Sequence, residues 1–137
     1  MSYQQTFEIR TRGRGTTEIT REVARVVRAG GIATGIAQVF VQHTSCAVMI
    51  TENADAAVRH DLETLAARWA PDADPAYRHD TEGGDDMAAH ARSLLTGTSV
   101  SIPVGNGELL LGSWQGIYLW EHRMGAQLRR VVVTVVG

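Results

Sequence analysis

The stretch LRRVVVTVV, residues Leu128–Val136, contains five valines in nine residues. Valine is enriched in β-strands because its branched side chain packs well on a pleated surface. Beyond Arg129 and Arg130, apolar and polar residues do not alternate, which is typical of a strand that lies inside a sheet and is covered on both faces. We therefore predict a central β-strand over Leu128–Val136.

Working outward from this strand, six further segments carry strand signals, and Asn106-Gly107 is a strong signal for a two-residue hairpin turn. The predicted strands are Gln5–Arg12, Ile36–Gln42, Cys46–Thr51, Val100–Val104, Glu108–Leu111 and Trp114–Arg123.

Three segments predict helices, from their caps and from apolar residues at helical spacing. The first begins at Thr20 as its N-cap residue. The second is capped by Asp55 and has one continuous apolar face that includes Leu65 and Trp69. The predicted helices are Thr20–Ala29, Asp55–Trp69 and about Asp86–Leu95.

The length of 137 residues predicts a single domain over residues 1–137 that buries about two-thirds of the surface of its unfolded chain. A net charge of −2 leaves no broad basic face, so we do not expect a nucleic acid partner. No apolar run approaches the ~20 residues that span a bilayer, so we do not expect membrane insertion.

The single cysteine, Cys46, has no partner for an intrachain disulfide, and the first residues do not read as a secretory signal. Both features predict a cytoplasmic protein. All 13 basic residues are Arg, so mechanisms built on a lysine of this chain are excluded. Anionic groups must be held by Arg, by backbone N–H groups or by a metal ion.

The densest polar cluster lies in a predicted long loop, Asp72–Gly84, and at the start of the third helix. Asp86 and His90 are four residues apart, so a carboxylate and an imidazole share one helix face. His79 and Glu82 come from the loop and can reach the same point. Such a set suits Zn, Mn or Mg. The alternative is an acidic helix N-terminus with two solvated histidines.

A second polar group, His43-Thr44-Ser45-Cys46, lies between two predicted strands. Alternation places His43 and Ser45 on one face, whereas Cys46 turns into the core. A nucleophilic Ser45 or Cys46 activated by His43 is the alternative. In the strand Trp114–Arg123, Gln115, Glu121 and Arg123 share a face, and Arg123 is the best candidate to hold an anion.

In chain order these motifs resemble the YjbQ family, which is associated with secondary thiamine-phosphate synthase activity, and the match runs from about Gln5 to Gly137. The matching motifs are His43-Thr44-Ser45, Asn53 with Asp55, Tyr77-x-His79, Glu82-Gly83-x-Asp85-Asp86-Met87-x-x-His90, Gly97-x-Ser99 and Leu111-Gly112-x-Trp114-Gln115-Gly116-Ile117-Tyr118 through Glu121-x-Arg123.

This resemblance implies an α/β (α+β) single-domain sandwich with a mixed β-sheet and about three helices. It also implies a homotrimer with polar residues clustered near subunit boundaries. Cys46 departs from the family, in which a small residue such as Ala is usual.

The resemblance further implies the joining of a hydroxymethylpyrimidine diphosphate to a thiazole phosphate with loss of pyrophosphate, and the word "secondary" marks a side activity. A divalent metal would neutralise the leaving group. The expected metal ligands are His43, His79 and His90, and the expected catalytic residues are His43, Glu82, Asp85, Asp86 and Arg123. The expected substrate-binding residues are Ser45, Asn53, Gln115 and Glu121.

Within this set, Asp85 or Asp86 would orient a ligand, Glu82 would act as acid or base, and Arg123 would hold an anionic group. The same residues are compatible with a metal-dependent hydrolase of a small phosphorylated or related substrate. They are also compatible with a protein that binds a metal or a ligand without turnover.

Overall fold

A computed structural model describes residues 1–137 and contains eight strands and three helices. The strands are β1 (Ser2–Arg10), β2 (Gly15–Glu18), β3 (Gly35–Val41), β4 (Cys46–Glu52), β5 (Ser99–Gly105), β6 (Glu108–Leu109), β7 (Gln115–Glu121) and β8 (Leu128–Val136). The helices are α1 (Thr20–Gly30), α2 (Ala56–Trp69) and α3 (Asp86–Thr96).

The strands form two sheets, one of five strands in the order β1-β8-β3-β5-β6 and one of three in the order β2-β7-β4. The expected α+β class with three helices is confirmed. The sheets differ from the expected mixed sheet because every strand pair is antiparallel. Side chains of both sheets and of α1 meet in one hydrophobic core, with Val133, Leu119 and Val27 among its members.

Strand β8 lies between β1 and β3, so its predicted central position is confirmed. The prediction that it is covered on both faces is wrong. Its residues Arg129, Val131, Val133 and Val135 are buried, while alternate residues are partly or largely exposed, Val136 at 57%. The valines on the outer face conceal the alternation from a reading of residue types, because Val is apolar wherever it points.

Two of the three helix predictions need correction in detail. Thr20 is not an N-cap: its hydroxyl accepts from the backbone N–H of Ile117 and donates to Glu18, and the cap position is Ile19. Asp55 does cap α2, with its side chain accepting from Ala57 N at 2.9 Å.

The apolar face expected for α2 is also wrong at its C-terminal end. Leu65 and Trp69 are 36% and 55% exposed, while Ala66 is buried. The helix contacts Trp120 of β7 through Leu62 and Ala66. Because that contact fixes the rotation of α2, the Leu65–Trp69 edge of its apolar stripe is left outside.

Turn signals in the sequence are matched closely by the backbone. Asn106 and Gly107 have positive φ values of 51° and 76°, as a two-residue turn between antiparallel strands requires, and they join β5 to β6. None of the three helices has both the length and the apolar character needed to cross a membrane.

The side chain of His122 is fully buried at the end of β7. Its Nε2 lies 3.2 Å from the Thr96 hydroxyl, and its Nδ1 has no hydrogen-bond partner. Burial, reinforced by the charge of Arg92, lowers the pKa of His122 from 6.5 to about 3. His122 is therefore neutral in the folded chain over most of the acid range.

We expect the free energy of unfolding to decrease as the pH is lowered below 6.5. Over that range the unfolded chain binds a proton at His122, whereas the folded chain does not bind one until about pH 3. The contribution of His122 between pH 6.5 and 5 is roughly 2 kcal/mol. Denaturant titrations at several pH values should show a shallower pH dependence for His122→Gln than for the wild type. His60→Gln, at a histidine whose side chain is 79% exposed, should keep the wild-type slope; equal slopes for all three proteins would contradict the assignment.

Candidate metal centre

The loop of residues 71–85 and the first turn of α3 bring the predicted acidic and histidine residues together. A backbone hydrogen bond from Ala73 N to Gly84 O closes this loop at 2.8 Å. Helix α3 starts at Asp86, so His90 lies one turn further along the same face. The side chain of Ser93 donates to Cys46 O on β4, which fixes α3 against the three-stranded sheet.

Three side chains converge on one point at the start of α3. Asp86 Oδ2 lies 2.7 Å from His79 Nε2 and 3.2 Å from His90 Nε2. One potential ligand atom from each residue lies within 4.8 Å of the other two. The Asp86 side chain is 3% exposed, whereas those of His79 and His90 are 46% and 31% exposed. The cluster is therefore anchored inside the protein and open on its histidine side.

Arg123, just after β7, fixes the orientation of both acidic residues. Its Nε donates to Asp85 Oδ2 and its Nη1 to Asp86 Oδ1, each at 2.9 Å, and its Nη2 donates to Glu82 O at 2.8 Å. Because Arg123 holds Asp86 Oδ1, the other oxygen, Oδ2, faces the two histidines. The expected anion-holding role of Arg123 is not supported, since its guanidinium is directed at carboxylates of its own chain.

These contacts also set the charge of the cluster. Burial alone would raise the pKa of Asp86, but the hydrogen bond with His79 and the charges of His90 and Arg123 hold that pKa below its usual value. Burial likewise opposes the shift at Asp85, whose pKa is lowered by hydrogen bonds from Met124 N and Arg123. Both acidic residues are thus carboxylates at neutral pH.

The donor set fits a divalent ion of intermediate softness. Two imidazoles and one carboxylate are typical ligands of catalytic zinc sites, which keep a further position open, and they also suit Mn. Mg fits less well because it prefers oxygen ligands. Asp86 Oδ1 is hydrogen-bonded to Arg123, as expected of an outer partner that orients a ligating carboxylate.

His43 lies beside this cluster and is not part of it. His43 and His90 line the same cavity of about 340 Å³, together with Thr44, Leu94 and Thr98. Nδ1 of His43 is 3.0 Å from Ser45 Oγ. Partial burial of the ring, with the charge of Arg129, lowers the pKa of His43, so the ring is neutral at neutral pH. The cluster thus consists of His79, His90 and Asp86, whereas we expected His43 as its third member.

Behind Ser45 lies a fully buried ion pair between Arg129 of β8 and Glu121 of β7, with both side chains 1% exposed. Arg129 Nη2 also donates to Ser45 Oγ at 2.9 Å, and the Thr11 hydroxyl donates to Glu121 Oε1 at 2.7 Å. Glu121 and Ser45 were expected to bind substrate, but both are buried and engaged in this network. Arg129 is likewise paired and not free to hold an anion.

Two further predicted substrate-binding residues lie elsewhere. In the antiparallel pairing of β4 with β7, Cys46 is opposite Glu121 at one end and Glu52 is opposite Gln115 at the other. Gln115 and Asn53 therefore lie at the opposite end of this strand pair from Glu121, some six residues or about 20 Å away along the strands. Gln115 accepts from Gly112 N, and Asn53 donates to Ser113 O at 3.4 Å. Within one chain the structure does not bring these two residues to His79 and His90.

Sequence analysis placed Asp86 on one helix face with His90 but counted it among the catalytic residues and not among the metal ligands, and it missed the burial of Arg129. Both had a signal. Asp86 shares a helix face with His90 at a spacing of four, and Arg129 is in phase with the inward residues of β8, such as Val131 and Val133. Cys46 is fully buried in the core, as its alternation with Ser45 predicts, and burial raises the pKa of its thiol to about 11.

Comparison with known proteins shows which family this chain resembles over nearly its whole length. Residues 5–137 match the sequence profile of the family described as UPF0047 protein YjbQ-like. A UPF0047 protein of Synechocystis is 46% identical over 98% of this chain and 92% of its own length. The UPF0047 protein YjbQ of Escherichia coli O157:H7 is 40% identical over 100% of this chain and 99% of its own length.

The chain belongs to the YjbQ (UPF0047) family. A crystal structure of a YjbQ/UPF0047 protein from Clostridium acetobutylicum superposes with a TM-score of 0.89 at 34% identity, covering 96% of this chain and 99% of that one. The predicted family membership is thus confirmed. In this YjbQ-family chain, the long acidic motif Glu82–His90 forms the loop end and first turn that carry Asp86 and His90, two members of the cluster.

We expect Arg123→Met to lower the free energy of unfolding by about 2–3 kcal/mol, because it leaves two carboxylates, Asp85 and Asp86, without their cation. This loss should be full above about pH 4 and should shrink as pH falls through the lowered pKa values of the two carboxyls. Chemical denaturation measures it. Arg78→Met, at an exposed arginine of the same loop, is the matched control; equal effects of the two substitutions would contradict the ion-pair account.

Proposed function

We propose that this protein is a metal-dependent enzyme that acts on a small phosphorylated substrate, with His79, Asp86 and His90 as the metal ligands. The observation that carries the proposal is the convergence of two imidazoles and one oriented carboxylate with ligand atoms within 4.8 Å. The open histidine side and the neighbouring cavity of about 340 Å³ supply room for a small molecule.

The donor set favours Zn or Mn over Mg. Such an ion supplies positive charge that stabilises a leaving phosphate oxygen or lowers the pKa of a water molecule. The chain supplies the remainder: Asp86 is held by Arg123, His79 and His90 present their Nε2 atoms, and the cavity lies beside His90.

The reaction that we propose is thiamine-phosphate synthesis, in which pyrophosphate leaves a hydroxymethylpyrimidine diphosphate and a thiazole phosphate nitrogen takes its place. Membership of the YjbQ family supports it. Four arginines around the cluster are already paired with carboxylates, namely Arg14, Arg92, Arg123 and Arg129, whereas Arg78 of the loop is exposed. In a single chain the charge of the leaving group would therefore be balanced by the ion, with Arg78 as the neighbouring arginine outside these ion pairs.

Hydrolysis of a small phosphorylated substrate is the second candidate, and the position of Glu82 favours it. Its carboxylate is 63% exposed at the edge of the cluster, with Oε2 3.8 Å from His79 Nε2. An exposed carboxylate beside a metal site can accept a proton from an attacking water molecule. Thiamine-phosphate synthesis does not need such a base, because its activation barrier is set mainly by the charge that develops on the leaving pyrophosphate.

The central test is metal content, measured by elemental analysis after dialysis, in the wild type and in the double variant His79→Ala/His90→Ala. We expect near-stoichiometric Zn or Mn in the wild type and at least a tenfold loss of affinity in the variant, since two of three ligands are removed. His60→Ala removes an exposed histidine of α2 and is the matched control.

The same samples distinguish the two reactions. A synthase releases pyrophosphate and forms thiamine phosphate only when both substrates are present. A hydrolase releases phosphate from one substrate alone. A double variant with full metal content and activity would overturn the metal assignment, and metal retention without either reaction in the wild type would identify a binding protein without turnover.

We also propose that the chain assembles as a homotrimer through the outer face of the five-stranded sheet. That face exposes apolar side chains of two adjacent strands, with Ile36 at 56%, Phe40 at 40% and Val136 at 57% exposure. Exposed apolar side chains on one sheet face, here on either side of Gln38 and Thr134, are common at protein interfaces.

Light scattering at working concentration should give the mass of three chains for the wild type. Phe40→Glu should lower the mass toward one chain, because it places a charge within the apolar face. Trp69→Glu places the same charge on the exposed side of α2 and should leave the mass unchanged. A wild-type monomer would contradict the assembly.

A further inference from the structure

The hydrogen bond between His43 and Ser45 determines which nitrogen of the His43 ring carries a proton. Nδ1 of His43 and Oγ of Ser45 are 3.0 Å apart. The only other hydrogen-bond partner of Ser45 Oγ is Arg129 Nη2, at 2.9 Å. The direction of the Ser45–His43 hydrogen bond follows from what each of these three groups can donate.

Arg129 can only donate, because a guanidinium has N–H groups and no acceptor. It is locked in place by the buried ion pair with Glu121, where Nε donates to Oε1 at 2.8 Å. Ser45 Oγ therefore accepts from Arg129. Its single hydroxyl hydrogen remains to be donated. Because Ser45 is only 1% exposed, bulk water cannot serve as the acceptor.

The one available acceptor for that hydrogen is His43 Nδ1. If Nδ1 carried a proton instead, Ser45 Oγ would receive two donors and its own hydrogen would be buried without a partner, which is costly. Nδ1 is thus the unprotonated nitrogen of the ring. A neutral imidazole then carries its hydrogen on Nε2.

The other side of the ring faces outward. His43 is exposed overall, and its Nε2 makes no hydrogen bond within the chain. The ring lines the cavity of about 340 Å³ next to His90, with Thr98 and Leu94 as further walls. An N–H group with no partner therefore stands beside the metal-ligand cluster.

We propose that His43 is a fixed neutral hydrogen-bond donor, held as the Nε2–H tautomer by Arg129 through Ser45, and that it binds an oxygen of the substrate in this cavity. A nitrogen that carries a hydrogen cannot ligate a metal ion or take a proton, so His43 is neither the third ligand nor a base. The fitting substrate class is one that presents a phosphoryl or carbonyl oxygen next to the ion. The substrate role rests on the proposed function, whereas the tautomer does not.

The tautomer is measured by nitrogen-15 NMR of the histidine rings in the protein as purified and after addition of Zn, with the His43 signals assigned by their loss in His43→Gln. We expect a hydrogen-bearing Nε2 and a bare Nδ1 in both states. Ser45→Ala should yield a mixture of tautomers, and Thr44→Ala, which alters a neighbouring cavity residue without touching the ring, should retain the wild-type signals.

The donor role is measured with inorganic phosphate as the probe, titrated into the Zn-loaded protein. His43→Ala should weaken phosphate binding by about tenfold or more, as expected for the loss of one hydrogen bond to an ionised acceptor. His43→Gln, whose side-chain amide can still donate, should restore part of the loss. Equal losses in the two variants would overturn the donor role.

A wild-type ring that carries its hydrogen on Nδ1, or a His43 Nε2 signal that moves to that of a metal-bound nitrogen with Zn, would overturn the tautomer assignment. These outcomes are separate from failure of the proposed function. A protein that binds no metal and catalyses neither reaction would still show the Nε2–H tautomer if the Ser45 and Arg129 geometry holds.

Discussion

The buried ion pair between Glu121 and Arg129 connects the two sheets and both sides of the candidate site. A charged pair with 1% exposure is tolerated only when its remaining hydrogen-bonding capacity is used. Glu121 accepts from the Thr11 hydroxyl and from Arg123 N, and Arg129 donates to Ser45. Glu121 thus holds the backbone of Arg123, and Arg129 holds the side chain of Ser45.

Hydrogen bonds extend from Arg123 and from Ser45 to the rest of the candidate site. Arg123 accordingly links Glu121 to Asp85 and Asp86, so the carboxylate that faces the histidines is oriented by the residue two positions after the end of β7. Ser45 is hydrogen-bonded both to Arg129 of β8 and to His43, so Arg129 orients the His43 imidazole through Ser45. The cluster of His79, Asp86 and His90 and the cavity beside it are therefore supported by the same buried charges, and neither depends on the exposed loop alone.

Local signals in the sequence were sufficient where the structure is decided locally. Asp55 caps α2, Asn106-Gly107 makes the hairpin turn, and Leu128–Val136 forms the central strand with the predicted bounds. Tertiary packing overrode local preference at Thr20, whose hydroxyl pairs with the neighbouring strand β7, and at Trp69, which the contact of α2 with β7 leaves exposed.

For the site, the sequence by itself determined the residue types and the spacing of Asp86 and His90, because a helix places residues four apart on one face. His79 was expected to reach the same point, but only the tertiary structure decided that its Nε2 lies 2.7 Å from Asp86, that His43 stays beside the cluster, and that Gln115 lies at the far end of its strand. Those relations join residues that are distant along the chain. They follow from the register of the two sheets and from a buried ion pair, neither of which is written in any local pattern.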